Sequence, residues 1–200
     1  MRGSPRDSMQ SDFRHSQTSA HMVTLRPIAS SDAAAVVAAV KQSRDALRRW
    51  MPWYRDDYDL QTAEEWIASS LESTLRGTAQ QFVILDDRQD VVGVIGLEDI
   101  DDQSGRAMIG YWLATPASGR QVGRRAIEHA VAWARLRQSL HTIWAVVAEP
   151  NLASRRVLEI NGFRQVAAHG IDERGDLALI YELDLASPPI RVAHQAGRIQ

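Results

Sequence analysis

A segment rich in glycine and arginine, GRQVGRRA, lies between an apolar run that ends before Pro116 and a stretch with helical periodicity. The first amides of a helix have no partner within the helix, and the helix dipole makes that end positive, so such a turn can bind phosphate. Gly119 and Gly123 allow the backbone to approach a ligand closely. The segment also carries three arginines, which are Arg120, Arg124 and Arg125. It therefore predicts a diphosphate site, although glycine in an ordinary strand-to-helix turn is the alternative.

A second apolar run ends at Pro150, and a short stretch with helical periodicity follows it in the sequence EPNLASRRVLEINGF. Together, the two segments resemble the GNAT superfamily of acyl-CoA-dependent N-acyltransferases. The first motif of that family is Gln or Arg, two residues, Gly, one residue, and then Gly or Ala. It is matched from Arg120 onwards, except that Arg125 stands at the last position. The second motif is matched by Asn151, Ser154, Asn161, Gly162 and Phe163.

The sequence is most similar to the RimJ/RimL branch of this superfamily, which acylates protein N-termini and, in some relatives, other amines. The resemblance includes LRPIASSDAAAVV, RRWMPW and IGYWLA, and so covers most of residues 23–185. It implies an α+β fold in which a mixed, mostly antiparallel sheet is flanked by helices. It also implies that two central parallel strands separate and hold the pantetheine arm of acyl-CoA between them, much as a peptide strand adds to an open sheet edge.

The acyl-CoA-binding residues follow from the same resemblance. It places Trp112, Leu113 and Ala114 beside the pantetheine arm and the amides of residues 121–125 around the diphosphate. Asn151 would position the arm, although asparagine is also a favoured helix N-cap. The predicted set is Trp112, Leu113, Ala114, Arg120, Gln121, Val122, Gly123, Arg124, Arg125, Asn151 and Ser154. The co-substrate would be acetyl-CoA or another acyl-CoA such as succinyl-CoA.

The implied reaction is the attack of a neutral amine on a thioester carbonyl. An α-amino group has a pKa of about 7.7 to 8.0 and a lysine side chain one of about 10.4, so an N-terminal amine loses its proton more easily. By its position in the family motif, Ser154 is predicted to protonate the leaving thiolate, although a serine in the first helical turn can simply cap or pack. Glu98 is predicted as the general base. The alternative is that it belongs to a solvated hairpin with Asp99, Asp101 and Asp102.

The acceptor is predicted to contact the segment RRWMPWYRDDYD, residues 48–59, which usually forms the edge of the acceptor groove in this superfamily. The predicted acceptor-binding residues are Trp50, Trp53 and Tyr54, with Tyr181 on the last strand as a weaker candidate. Three aspartates could attract a cationic amine, namely Asp56, Asp57 and Asp59. The alternative is that the aromatic side chains belong to the core and the aspartates to a solvated turn.

Hydrophobic periodicity and turn residues divide the chain into alternating elements. Strands are predicted over residues 23–27, 81–85, 91–97, 107–113, 141–148, 164–169 and 177–185. One continuous helix is predicted over residues 33–49, with Ser31 or Asp32 as its cap. A second helix should begin at a capping box formed by Thr62 and Glu65 and end near Gly77. A third helix, after the glycine-rich loop, has a predicted apolar stripe of Ile127, Ala130, Val131, Ala134 and Leu136, and a fourth covers residues 152–160.

Composition limits the class of protein. The chain has 200 residues, of which 44% are hydrophobic, and this is enough for one domain with a substantial core. A net charge of −2 argues against a nucleic-acid-binding surface. The absence of cysteine excludes disulfides and thiolate nucleophiles, and the six histidines have no metal-ligand spacing, so no metal is expected. Without an apolar run of roughly 20 residues or a secretory signal, a cytoplasmic protein with no membrane contact is expected.

The sequence predicts one acyltransferase domain over residues 22–186. Residues 1–21 are polar and are interpreted as a disordered extension or a leader added for expression, and residues 187–200 as a C-terminal tail. The expected partner is an amine acceptor, either a protein N-terminus or a small molecule. A homodimer is compatible with the related folds.

The sequence raises three hypotheses about function. The leading hypothesis is an N-acyltransferase, in first place an N-acetyltransferase, that moves the acyl group directly to the amine. The alternative is a non-catalytic acyl-CoA-binding sensor or interaction module, because the base is uncertain and Arg125 departs from the motif. A P-loop enzyme is disfavoured, because the glycine-rich loop does not end in Gly-Lys-Ser or Gly-Lys-Thr.

Overall fold

A computed structural model describes residues 22–172 and 174–187 of the chain. Its strands are β1 (Thr24–Pro27), β2 (Gln80–Leu85), β3 (Val91–Asp101), β4 (Arg106–Leu113), β5 (Thr142–Ala148), β6 (Arg164–Ile171) and β7 (Leu177–Asp184). Its helices are α1 (Ala33–Lys41), α2 (Arg44–Trp50), α3 (Leu60–Leu75), α4 (Val122–Leu136) and α5 (Leu152–Ile160), with short 3-10 turns at Ser30–Asp32 and Thr115–Ala117. The predicted extension over residues 1–21, and residues 188–200 of the predicted tail, lie outside the described residues.

The strands form one seven-stranded sheet in the order β1-β2-β3-β4-β5-β7-β6. Within the described part of the chain, β4 and β5 are the parallel pair, and the other neighbouring strands are antiparallel. The helix α4 joins the two parallel strands, as a parallel connection requires. The predicted α+β fold with a mixed, mostly antiparallel sheet is confirmed.

The two parallel strands separate partway along their length. They pair from Arg106 to Met108 on β4 and from Thr142 to Trp144 on β5. Beyond this, β4 follows β3 as far as Leu113, and β5 follows β7 as far as its last residue. Each strand is therefore held on its outer edge, and a gap opens between the inner edges.

Helices pack on both faces of the sheet. Apolar residues of α1, α2 and α3 pack over β2, β3 and the end of β4, where Val94 and Trp112 contribute to the buried cluster. On the opposite face, α4 and α5 pack against the rest of the sheet, with Ile127 and Leu158 fully buried. The gap between β4 and β5 therefore lies between two helical layers.

The predicted helix over residues 33–49 is interrupted. It ends at Lys41 and restarts at Arg44, because Ser43 is buried and its hydroxyl connects two parts of the fold. The Ser43 Oγ atom donates to the Ala39 carbonyl at 3.0 Å and accepts from the Thr115 amide at 2.8 Å. This contact joins the break to a distant part of the chain, so periodicity along the segment could not reveal it.

Two helix boundaries also differ from the predictions in their capping. The helix α3 begins earlier than predicted, because Asp59 is the N-cap and its carboxylate accepts from the Thr62 amide at 2.9 Å. Asp32 precedes α1, but its side chain does not cap that helix; it accepts from the Ala29 amide and pairs with Arg26. At the end of α4, Leu136 is 83% exposed, because it falls outside the stripe that repeats every three to four residues.

Candidate active site

A cleft of about 830 Å³ lies beside the end of β4, beyond the residues through which β4 pairs with β5. On one face of the sheet it is lined by α2 and by Trp112 of β4. On the other face it is lined by Tyr111, the N-terminal turn of α4 and one side of α5. The cleft therefore connects the two faces of the sheet, and its size is within the range of small-molecule sites.

The N-terminus of α4 opens into this cleft. Its N-cap is Gln121, which has φ of 61° and makes no side-chain capping hydrogen bond. The helical hydrogen bonds begin with the Arg125 amide donating to the Gln121 carbonyl, so the amides before it have no partner within the helix. The first turn contains no acidic residue. A bound anion could accept hydrogen bonds from these free amides.

Gly123 keeps the cleft open at this point. A Cβ atom added there would lie 3.3 Å from Cδ1 of Leu113 and 3.4 Å from Cε2 of Tyr111. Any longer side chain would have to occupy the space between β4 and the first turn of α4. The bare backbone and the unpaired amides are features that a diphosphate site requires, and the diphosphate contact itself stays a prediction.

The structure brings one of the three predicted arginines to the cleft. Arg124 lines it and donates to Oε1 of Gln121 at 3.1 Å. Arg120 instead lines a second depression of about 420 Å³, where Asp86 and Asp90 are also found. Arg125 is half-buried and lines neither. The prediction that all three arginines converge is corrected for Arg120 and Arg125, which lie outside the lining of this cleft.

Arg156 is a cleft-lining cation that the sequence analysis missed. The residues of α5 that line the cleft are Ala153, Arg156, Val157, Glu159 and Ile160, in addition to the predicted residues at its N-terminus. All but Glu159 recur at the three- to four-residue spacing of one helix face. Because the sequence places the N-terminus of α5 at the site, the helical repeat could have identified the other residues on the same side of that helix.

The predicted contacts of β4 are shifted by one residue. Trp112 and Leu113 line the cleft, but Ala114 is buried, and its amide donates to the Val92 carbonyl at 2.8 Å. Backbone groups of an antiparallel strand alternate in direction, so Leu113 and Tyr111 present theirs to the open edge. Ala114 is therefore corrected from a pantetheine-contacting residue to a structural one.

Asn151 and Ser154 both line the cleft at the start of α5. The Asn151 Oδ1 atom accepts from the Ser154 amide at 3.1 Å, so its capping role is present in the structure. The Ser154 Oγ atom accepts from the hydroxyl of Tyr111 at 3.4 Å. Burial raises the pKa of Tyr111, so this phenol keeps its proton at neutral pH.

Glu98 lies outside the lining of the cleft. It pairs with Met108, the last β4 residue that is joined to β5, and so lies level with the point where the strands separate. Its Oε1 atom accepts from Nε2 of the buried Gln81 at 2.7 Å. The structure thus places the predicted base near the closed end of the gap and away from the groups gathered around Ser154.

The predicted acceptor residues take different positions. Trp50 lines the cleft, whereas Trp53 is 42% exposed and packs against Trp112 and Tyr58 with ring centroids 6.0 and 5.7 Å apart. Tyr54 is half-buried and donates to Asp56 at 3.2 Å.

The three aspartates of the segment have partners within the chain. Asp56 pairs with Arg48, Asp57 pairs with Arg55, and Asp59 caps α3. These contacts leave less charge available for a cationic amine than the sequence predicted.

Tyr181 is 1% exposed and belongs to the core. Its hydroxyl accepts from Nε of Arg155 at 3.1 Å and donates to Glu159 at 3.3 Å. The prediction that Tyr181 contacts the acceptor is corrected, because β7 lies beneath α5 at this position.

Two further findings concern the described residues as a set. No group of three or more His, Asp or Glu side chains among them is arranged to hold a metal ion. Their helices include none with the length and apolar character needed to cross a membrane.

Comparison with known proteins places this geometry in a family context. A family model described as the acetyltransferase (GNAT) domain matches residues 22–164. The uncharacterized N-acetyltransferase p20 of Bacillus licheniformis is 28% identical over 108 residues. That match covers 54% of this chain and 61% of p20, which is less than two thirds of the relative's length.

Solved structures share the fold at low sequence identity. RimL, a ribosomal L7/L12 α-N-protein acetyltransferase in complex with coenzyme A, superposes with a TM-score of 0.76 at 19% identity, covering 81% of this chain and 93% of that one. MccE, a microcin C7 self-immunity acetyltransferase in complex with acetyl-CoA and AMP, also has a TM-score of 0.76 and 19% identity, with 81% and 92% coverage. The likeness to both concerns the fold.

Proposed function

The chain belongs to the GNAT acetyltransferase family, and we propose that it transfers an acetyl group from acetyl-CoA to a primary amine. One observation carries this proposal: the uncapped N-terminus of α4 faces a cleft beside the end of β4, where β4 has separated from β5, and Gly123 leaves the space there free. Relatives with this fold were solved with coenzyme A or acetyl-CoA, which supports the same ligand class here.

The residues that would hold the co-substrate follow from the cleft. The free amides at the start of α4, together with Arg124, would bind the diphosphate. The open backbone edge at Tyr111 and Leu113 would pair with the amides of the pantetheine arm. Arg156 on α5 would add a second positive charge to the cleft. Asn151 would position the arm while it caps α5.

We assign protonation of the leaving group and removal of the amine proton to different residues. Acetyl-CoA supplies an acyl carbon bound to a sulfur leaving group, which a neutral amine can attack. Ser154 lines the cleft and would give its hydroxyl proton to the departing sulfur. Backbone amides at the open edge of β4 would stabilise the negative charge that develops on the carbonyl oxygen.

Glu98 remains our proposal for the base, acting through a water molecule. The support for this is its position, level with the last paired residues of β4 and β5 and held by Gln81. An α-amino acceptor, with a pKa of about 7.7 to 8.0, requires little assistance from a carboxylate that acts through water. A lysine side chain, at about 10.4, requires much more, so we propose an α-amino or similarly weak base as acceptor.

The acceptor would reach the site beside α2, where Trp50 lines the cleft and Trp53 is exposed. RimL acts on a ribosomal protein N-terminus and MccE confers self-immunity to microcin C7, so a protein N-terminus and a small-molecule amine are both within the proposal. The assay described below compares acetyl-CoA with succinyl-CoA as the acyl donor.

Free-thiol release tests this function. Acetyl-CoA and succinyl-CoA are each incubated with N-terminal peptides, lysine peptides and small amines, and calorimetry measures coenzyme A binding in parallel. Thiol release that depends on an α-amino acceptor is the expected result. Coenzyme A binding with no turnover on any amine would instead favour a non-catalytic binding module, and no binding would contradict the assignment of the cleft.

A further inference from the structure

The direction of the Ser154 hydroxyl decides whether this residue can act on a group in the cleft. A serine in the first turn of a helix has one hydroxyl proton, and such side chains often donate it to a nearby backbone group. The proton would then be unavailable to a leaving sulfur. The amide of Ser154 is already occupied by Asn151, so the cap fixes the backbone and leaves the hydroxyl rotation open.

Tyr111 makes the one side-chain contact to this hydroxyl that is found among the described residues. Its hydroxyl lies 3.4 Å from Oγ of Ser154 and donates to it, although the two residues are 43 positions apart in the chain. A phenol is a more acidic donor than an aliphatic hydroxyl, so Tyr111 donates and Ser154 accepts. Because the Ser154 oxygen accepts in this contact, its own proton is available to an acceptor in the cleft that Ser154 lines.

The tyrosine itself is held in place by the fold. It lies on β4 at the part of the strand that pairs with β3 and no longer with β5. Its ring packs near the first turn of α4, where a Cβ at Gly123 would come within 3.4 Å of Cε2. A ring fixed between a strand and a helix N-terminus can orient another group reproducibly, and burial keeps its hydroxyl protonated.

We propose that Tyr111 is a positioning residue that aligns the Ser154 hydroxyl as a proton donor to the leaving sulfur. The inference rests on the acetyltransferase function proposed above. As the carbon–sulfur bond breaks, its electron pair goes to sulfur and the Ser154 proton follows it. The proton released by the attacking amine restores the serine hydroxyl through solvent, so the products are an amide and a free thiol. Tyr111 keeps its own proton throughout.

A double-mutant cycle tests this dependence. The variants Tyr111→Phe, Ser154→Ala and the double variant are compared with the wild type for kcat, KM for acetyl-CoA and coenzyme A affinity. Because Tyr111 acts through one hydrogen bond, Tyr111→Phe should lower kcat roughly fivefold to tenfold with coenzyme A affinity unchanged. Ser154→Ala should lower kcat by about 100-fold, and adding Tyr111→Phe to it should cause no further loss.

Two controls separate this role from a structural one. Ser154→Thr keeps the hydroxyl, so Tyr111→Phe should still lower kcat in that background. Tyr181→Phe removes a buried hydroxyl that also contacts α5, through Arg155 and Glu159, and should leave kcat within about twofold.

The positioning role of Tyr111 and the acetyltransferase activity would be contradicted by different results. Multiplicative losses in the Tyr111 and Ser154 cycle, or an unchanged kcat in Tyr111→Phe, would overturn the positioning role while the enzyme remains an acetyltransferase. A wild type that binds coenzyme A but releases no thiol would overturn the proposed function and this inference together.

Discussion

The helices α3 and α4 both begin after a loop, and their first turns are satisfied in different ways. At α3, the carboxylate of Asp59 accepts hydrogen bonds from the Thr62 amide and hydroxyl, at 2.9 and 2.8 Å. At α4, the N-cap side chain makes no such bond, and Arg124 and Arg125 occupy the first turn. One helix carries its own anion and the other carries two cations where the helix dipole is already positive.

This difference indicates which helix end serves a ligand. A cation in the first turn is unfavourable by about 0.3–1 kcal/mol, and an uncapped N-terminus loses about 1 kcal/mol relative to a capped one. Gln121 adds backbone strain, because φ of 61° is rare for a residue other than glycine. The missing cap, the two arginines and the strained backbone all lower the stability of the ligand-free protein at the N-terminus of α4, whereas Asp59 caps α3. Such destabilising features are expected where a bound anion stabilises the helix end.

The largest expected effect comes from placing a negative charge at the α4 end. Gly123→Glu would fill the space beside Leu113 and Tyr111 and repel a diphosphate, so coenzyme A binding should be lost in calorimetry. Gly123→Ala is the matched variant, since it adds only a Cβ at 3.3 Å from Leu113 and should bind more weakly. Unchanged affinity in a folded Gly123→Glu protein would contradict this placement of the diphosphate.

A smaller effect should separate two arginines of the same loop. Arg124→Ala removes a cation from the cleft and should weaken coenzyme A binding roughly tenfold, as expected for a hydrogen bond to a charged group. Arg120→Ala should leave the affinity unchanged, because Arg120 lines the other depression. Equal losses in the two variants would show that both side chains reach the ligand.

A carboxylate introduced at the N-terminus of α4 would make this helix resemble α3, which is capped by Asp59. Gln121→Asp should raise the Tm of the ligand-free protein by a degree or more, because a carboxylate near a helix N-terminus is stabilising. The same substitution should weaken coenzyme A binding, measured by calorimetry on the same sample. A parallel gain in stability and affinity would be inconsistent with competition between the carboxylate and a bound phosphate.

The smallest effect is expected at the capped helix. Asp59→Ala should lower the Tm by a few degrees and leave coenzyme A affinity unchanged, with Asp59→Asn as the control that retains a capping oxygen. Hydrogen bonds from the Thr62 amide and hydroxyl lower the pKa of Asp59 in the folded protein. The stability that this depressed pKa contributes is present above the ordinary aspartate pKa and lost as pH falls through the folded value. The Tm difference between the wild type and Asp59→Asn should therefore decrease towards acidic pH.

Local patterns in the sequence were sufficient for much of this account. The boundaries of α5 match the prediction, and the cap at Asn151 and the turn before α4 follow from residue types at fixed spacing. The family resemblance supplied the separation of β4 and β5, which the sheet register confirms.

The remaining features depend on contacts between distant parts of the chain. The break at Ser43 is set by the Thr115 amide, and the contact between Tyr111 and Ser154 joins a strand to a helix. Arg120 and Arg124 line different depressions, and residue type alone does not specify which arginine of the loop faces which side. Periodicity describes one element at a time, so these features could not be predicted from it.

The most direct test of the central claim is calorimetric titration of coenzyme A into the wild type, Gly123→Glu and Asp59→Ala, with the Tm of each protein measured alongside. We predict binding by the wild type and by Asp59→Ala, despite the lower Tm of the latter, and no binding by a folded Gly123→Glu protein. Binding by Gly123→Glu with the affinity of the wild type, or no binding by the wild type, would contradict the assignment of the α4 N-terminus as the diphosphate site.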